Sequence, residues 1–485
     1  MKLFASLLAL QACAALGQEL TATEVRSIVE HAAASVGSHG LTIAVTNREG
    51  DILAVFRAPD APDSSVGNFG ATVDTKELAV ALARTASFFS NNQAPLSSRT
   101  VRFISGIHFP PGISFTPNAA LYGIENTNRG CGFNTSFVTG KEIPPARSID
   151  GTQPGLGIQT GKADLVDSDP DAVNPGGVPL FRNGAVVGGV GVAGVSGPVA
   201  EYAAFQAAIG AGFAPTPAAP GVIFIDGIEL PFVSQTTAPD GIAAGDIQGD
   251  YLLGPMDSPA SAPEGDLVAP RDGSALTAAD VRQIIDRAID TANKTRAIIR
   301  LPIGSRTRMV IAVTDVDGNL LGLNRMPDAT FFSIDVAIAK ARNMVYFNSP
   351  AGVADLPGIP SGKASTNRTI GFGAQPLFPP GIDGSDRGPF FDLYVKDALN
   401  ACTQGSQTAN PNQNGIVFFP GALPLYKNGV LVGGLGVSGD GVEQDDYVTA
   451  AGALGFEVAP DSRADRVFID GVRMPYLKFP RNPTK

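Results

Sequence analysis

The chain repeats itself in order. Leu20-Thr-Ala-Thr-Glu-Val-Arg-Ser-Ile-Val returns as Leu276-Thr-Ala-Ala-Asp-Val-Arg-Gln-Ile-Ile, Ile43-Ala-Val-Thr as Ile311-Ala-Val-Thr, and Arg57-Ala-Pro-Asp-Ala as Arg325-Met-Pro-Asp-Ala. Phe109-Pro-Pro-Gly-Ile returns as Phe378-Pro-Pro-Gly-Ile, Pro179-Leu-Phe-Arg-Asn-Gly as Pro424-Leu-Tyr-Lys-Asn-Gly, and Phe224-Ile-Asp-Gly as Phe468-Ile-Asp-Gly. The copies recur about 250 residues apart, too long a period for a solenoid, which marks a tandem duplication of a domain of roughly 200 residues. Copy one is expected over 18–234 and copy two over 275–485, with 235–274, rich in Ala, Pro, Gly and Asp, as the linker.

Composition narrows the partners. A net charge of −11 with no Lys/Arg cluster argues against nucleic acid. Met1–Gly17 carries one positive charge, a short apolar run and then small residues, the pattern of a secretory signal cleaved ahead of Gln18. No other uninterrupted apolar run approaches the roughly 20 residues a membrane span needs, so a secreted or secretory-lumen protein is expected. Removal of Cys13 with the signal leaves Cys131 and Cys402, at nearly equivalent places in the copies. An oxidising compartment would let them form one disulfide, given a short enough separation. Asn134, Asn293 and Asn367 open Asn-X-Thr/Ser sequons and are candidate glycosylation sites.

Each copy starts with a marked helix. Thr21 and Thr277 are N-caps with Glu24 and Asp280 three residues on, and Leu20 with Val25 makes a hydrophobic staple. Two short strands follow, Leu41–Thr46 with Ile52–Arg57 and Met309–Thr314 with Leu320–Asn324. Second helices are expected over Thr75–Ser90 and Ser333–Asn348, then a long Gly/Pro-rich stretch in each copy. Hairpins Pro179–Val192 and Pro424–Val437 turn at Asn183-Gly and Asn428-Gly. A glycine corner leads into third helices, Val199–Gly210 and Glu443–Gly455, and last strands Val222–Asp226 and Val467–Asp470 close the copies. Hairpins interleaved with helices predict an α+β fold, two antiparallel sheets each faced by helices, arranged as a pseudo-dimer.

The run Pro420-Gly-Ala-Leu-Pro-Leu-Tyr-Lys-Asn-Gly-Val-Leu-Val-Gly-Gly-Leu-Gly-Val-Ser-Gly-Asp-Gly-Val-Glu-Gln-Asp-Asp, with Ala339-Lys-Ala-Arg-Asn and Arg325-Met-Pro-Asp-Ala, resembles the GlcG/HbpS-like family of haem-binding or haem-degrading domains. Gly433, Gly434, Gly436 and Gly439 remove side chains where strand meets helix, which serves either a tight corner or the approach of a ligand or another subunit. Asp445 and Asp446 favour the start of the third helix electrostatically. Copy one has Leu82 where copy two has Lys340, and Pro198-Val-Ala-Glu-Tyr in place of the acidic run, so two equivalent sites are excluded.

The resemblance implies haem, which needs an axial ligand. The only histidines are His31, His39 and His108, all in copy one. No Cys/His cluster has zinc spacing, no triad has a plausible histidine, and the glycine runs lack a phosphate-loop ending. Secreted, duplicated members of the family are similar to fungal proteins assigned to cofactor-free cycloadditions, hetero-Diels–Alder reactions among them. Such catalysis needs a shaped apolar cavity and a few donors on a polarised oxygen. That expectation places Arg325, Lys340, Arg342 and Ser438 as catalytic groups at the interface of the copies. Arg57, Arg84, His108, Phe109, Phe378, Gly434 and Gly436 are placed around an apolar substrate, with no cofactor. The alternative is extracellular haem or tetrapyrrole capture without catalysis. A homo-oligomer is compatible with either.

Overall fold

The computed structural model describes residues 19–37, 39–67, 70–104, 127–131, 148–150, 155–159, 174–215, 222–225, 228–259, 264–380, 382, 384–400 and 402–485. The expected signal segment 1–17, His108, Phe109 and Asn134 lie outside these residues.

In the first unit, α1 (Ala22–Ser35) starts at the expected capping box, with the Thr21 hydroxyl accepting from the Glu24 amide. Its buried stripe is Val25, Ile28, Val29, Ala32 and Ala33, and full burial of each larger side chain stabilises by about 1.5–3 kcal/mol. The hairpin β1 (Thr42–Asn47) and β2 (Ile52–Arg57) follows. A small ribbon, β3 (Ser64–Val66) and β4 (Thr72–Asp74), then leads into α2 (Thr75–Phe89) and α3 (Ser98–Ile104). After β5 (Gly177–Arg182) and β6 (Ala185–Ala193) comes α4 (Gly197–Gly210). The β5–β6 turn holds Asn183 at φ 51° and Gly184 at φ 80°, as an Asn-Gly hairpin requires.

The segments expected to close each copy form ribbons of their own. These are β7 (Val222–Ile225) with β8 (Ile228–Pro231), and, in the second unit, β15 (Phe468–Ile469) with β16 (Val472–Arg473). The linker is also more than a linker. Its strands β9 (Asp250–Leu253) and β10 (Gly265–Val268) each pair with the first hairpin of a different unit. The boundary between sheets therefore falls between Leu253 and Gly265.

The second unit repeats the plan. It has α5 (Ala278–Ala292), β11 (Val310–Thr314), β12 (Leu320–Arg325) and α6 (Ser333–Phe347). These are followed by α7 (Asn367–Gly373), α8 (Phe391–Leu399), β13 (Ala422–Lys427), β14 (Val430–Ser438) and α9 (Val442–Gly452). The sheet orders, β5-β6-β1-β2-β9 and β13-β14-β11-β12-β10, correspond strand for strand. The long Gly/Pro-rich stretch is here built around α7 and α8, not an open cavity wall. Phe378 stacks edge-on to Phe372, and Tyr394 packs on Phe391 and Phe418.

Alternate residues of a strand face opposite sides of a sheet. The second helix covers one side, and the first and third helices pack together on the other. The glycine corner makes the first of these contacts possible. A Cβ on Gly191 would lie 2.0 Å from the Ala79 carbonyl oxygen, and one on Gly436 would lie 2.1 Å from that of Ala337. Gly189 and Gly434 meet Ala83 and Ala341 in the same way. Both copies keep these glycines so that helix and sheet backbones can touch. Gly434 and Gly436 are packing residues, not ligand contacts.

Candidate functional site

The residues proposed as donors are engaged inside the protein. Arg342 is 1% exposed. It donates from Nε to the Gly318 carbonyl and from Nη1 to Asn414 Oδ1. Arg84 makes the equivalent bond to the Gly50 carbonyl, so both arginines brace the turn of the first hairpin. Burial lowers each to about 10. Arg325, lowered to about 10 by burial and then by Arg48, donates to the Ala329 carbonyl and covers the Phe331 ring. Arg57 holds the Ala61 carbonyl and Asp63, and Ser438 donates to Ser333.

Lys340 is fully buried, with Nζ 2.7 Å from Val437 O and 2.9 Å from Asp445 Oδ2. Burial lowers the ammonium against the pull of Asp445, and burial likewise pushes the Asp445 carboxyl up to about 7. Asp446 pairs with Arg368. The acidic pair thus faces inward cations more than it serves the helix start. Copy one places Leu82 and Ala200 where copy two has Lys340 and Asp445, beside the equivalent glycines Gly176 and Gly421. Asn367 is also buried, donating to Asn343 and Val417, so its sequon is inaccessible in the folded chain. Asn293 is exposed and accepts from Arg308.

Packed rings and ion pairs close the described contact between the units, where a substrate pocket was expected. Phe89 stacks on Phe332 at 4.1 Å, Phe88 lies 5.4 Å from Phe331, and the Phe331 amide donates to the Phe88 carbonyl. Asp328, from the repeated Arg-Met-Pro-Asp motif, takes Arg48 at 2.5 Å, Arg300 at 2.6 Å and the Asn92 amide at 3.2 Å. Burial would raise this carboxyl, but the two arginines outweigh it and hold it below its usual range. The Cys131–Cys402 disulfide ties the units together, with 5.2 Å between Cα atoms.

A groove of about 530 Å³ lies elsewhere, in the first unit. Val36, Val195 and Val199 form its apolar wall, linker residues Gly241–Gly245 its outer side, and His39 stands at the rim. The His39 side chain is 84% exposed, with Nδ1 3.5 Å from Asp60 Oδ2. Asp60, the motif aspartate of copy one, also accepts from the Gly40 amide, and that bond first of all lowers its carboxyl. His31, by contrast, is tied to the Ser27 carbonyl at 2.8 Å and lies against Gly210.

The second unit fills the same place with its own chain. Residues 293–309 connect α5 to β11, where the first unit needs only 36–41. The Ile298 amide donates to Asp440, and a Cβ on Gly441 would lie 2.5 Å from Ile298 Cδ1. Asp440, Gly441 and Gln444 align with Val195, Ser196 and Val199. The groove exists because copy one lacks this plug. The unequal connections and the lone His39 between Gly37 and Asp60 are the sequence signals that would have found it.

Residues 276–454 match the family model described as haem degrading protein HbpS-like. The chain carries an HbpS-like domain. Since the first unit shares its sheet order, the chain is a tandem of the HbpS-like fold. Similar solved structures include a PduOC–heme complex (22% identity, 38% of this chain and 97% of that chain, TM-score 0.25). Another is Klebsiella pneumoniae protein ORFY (21%, 38% and 93%, TM-score 0.25). A third is a double mutant of Streptomyces reticuli HbpS (23%, 41% and 98%, TM-score 0.23). No curated protein matches the chain significantly in sequence. Among the described residues no His/Cys/Asp/Glu cluster has the makings of a metal site, and no helix is long and apolar enough to cross a membrane.

Proposed function

We propose that this tandem HbpS-like protein captures a tetrapyrrole outside the cell, in the groove of its first unit. The observation that carries this reading is His39, an exposed imidazole at the rim of an apolar groove, with a carboxylate at Nδ1. That donor set fits haem. A carboxylate behind Nδ1 orients the ring and raises the basicity of Nε2, the nitrogen left to ligate. The groove volume lies within the range of small-molecule sites, about 300–1,000 Å³. Val36, Val195, Val199 and Ile242 would cover the apolar part of the macrocycle, and bound haem would supply its iron for ligation or redox chemistry. The leader-like start of the sequence and the disulfide support an oxidising, extracytoplasmic setting.

Capture is favoured over cycloaddition because Arg325, Lys340 and Arg342, the cations expected to polarise a substrate, are all buried and engaged. The test is titration with hemin. A saturable Soret shift is expected, lost in His39→Ala, weakened in Asp60→Asn and unchanged in His31→Ala. No shift at micromolar hemin, or a shift indifferent to His39→Ala, would overturn the reading.

A further inference from the structure

The second unit has an opening of different character. A cleft of about 320 Å³ lies between the first-hairpin turn and the segment 404–412. Its floor is Arg342 and Tyr346, its mouth Asp317, and its far wall Gln407 and Asn412. The aligned corner of the first unit carries Arg48, Glu49, Gly50 and Phe88, and unit two covers it through Asp328 and Phe331. In unit two, Val316 stands for Arg48 and Tyr346 for Phe88. The cation that takes an aspartate in the first corner is therefore missing from the second.

We infer that this cleft is a binding site for a neutral, vicinally hydroxylated ligand, a single sugar ring. The Asp317 carboxylate and the Gln407 amide nitrogen have no hydrogen-bond partner among the described residues, although Gln407 Oε1 accepts from both Gln404 and Gln413. An acceptor facing a donor matches hydroxyl groups, each of which can do both. Val316, Val345 and Pro411 add an apolar patch for the C–H face of a ring. The Arg342 guanidinium is spent on the Gly318 carbonyl and Asn414 and faces the buried Asp335, so the cleft offers no free cation to select a carboxylate. The volume is at the lower end for ligand pockets, which suits one ring. This site does not depend on the tetrapyrrole groove.

Saturation-transfer NMR of the full chain with methyl α-D-glucoside, methyl α-D-mannoside and methyl β-D-galactoside tests the inference, with glucuronate and glucosamine as charged controls. At least one neutral glycoside should give a saturable signal. Asp317→Ala should weaken it at least tenfold, and Val316→Arg, which installs the residue of the first unit, should abolish it. Both positions are exposed, and an unchanged urea midpoint and hemin titration would show that the variants are folded. Absence of saturable signal from all three glycosides, preference for a charged control, or indifference to both variants would overturn it.

Discussion

Lys340 offers a sharp test of whether a buried cation here is functional or structural. In Lys340→Leu, which copies the residue of the first unit, the bonds to Val437 and Asp445 are lost. Asp445 is left buried with the Asp440 amide at 3.4 Å. Removing one partner of a buried pair costs about 3–5 kcal/mol, whereas replacing both by apolar groups is neutral or stabilising by about 1–4 kcal/mol. Lys340→Leu with Asp445→Ala, the combination that unit one already has, should therefore regain the stability that the single variant loses. The deficit of the single variant also has a sign in pH. The Asp445 carboxyl is raised to about 7 in the folded state from an ordinary 3.8, so the fold favours its neutral form. That contribution is full below the unfolded value and is lost as pH rises through the folded one. Lys340 pulls against that rise, so without it the carboxyl stays neutral to still higher pH, and the penalty should be larger at pH 8 than at pH 6. Urea unfolding midpoints and slopes for the wild type, both singles and the double, at both pH values, give the coupling energy directly. If Lys340→Leu is nearly neutral in stability but abolishes hemin binding, and the double restores nothing, Lys340 has a functional role and the reasoning fails.

Gly436→Ala and Gly191→Ala should each destabilise their unit by about 1–3 kcal/mol, because the added methyl meets helix backbone with no flexible neighbour to yield; urea midpoints check this. Breaking the inter-unit disulfide with Cys131→Ser should lower stability by about 2–4 kcal/mol, read as a fall in the thermal midpoint that added reductant does not deepen. The carboxyl of Asp328 is held low by Arg48 and Arg300, so its stabilisation is present above the unfolded value and lost as pH falls through the folded one. The contact between units should loosen below about pH 4, measured as protease cleavage between the units, and Asp328→Asn should loosen it already at neutral pH.

The elements were legible because local signals agreed with one another. Thr21 with Glu24 and Thr277 with Asp280 do form capping boxes, and Asn183-Gly and Asn428-Gly do turn hairpins. The site was not legible, because charge in a sequence does not reveal where its partner lies. Arg84 and Arg342 looked like ligand contacts, yet the carbonyl each one braces is fixed by a hairpin turn distant along the chain. Gly434 and Gly436 signalled a close approach, and only the packing shows that the approaching group is the second helix. The strands β9 and β10 were hidden by the Gly/Pro/Asp composition of the linker. Edge strands tolerate such residues, since only one side of the backbone must pair.

The inequality of the two halves follows from the way they meet. Two equal copies related by a twofold axis would make each contact twice, with Asp60 meeting the turn of the second unit as Asp328 meets Arg48. Among the described residues only one of these contacts is made. Asp60 instead holds the Gly40 amide and His39, and Val316 lies on the polar cleft. Equivalent cysteines still meet in the Cys131–Cys402 disulfide, so the pairing keeps a twofold-like contact there and is unequal at the Asp328 corner. Replacing Arg48 by Val316 removes the cation that receives the aspartate, and engaging Asp60 with His39 removes the aspartate itself. The mismatch leaves Asp60 beside His39 at the groove of one half and Val316 on the cleft of the other.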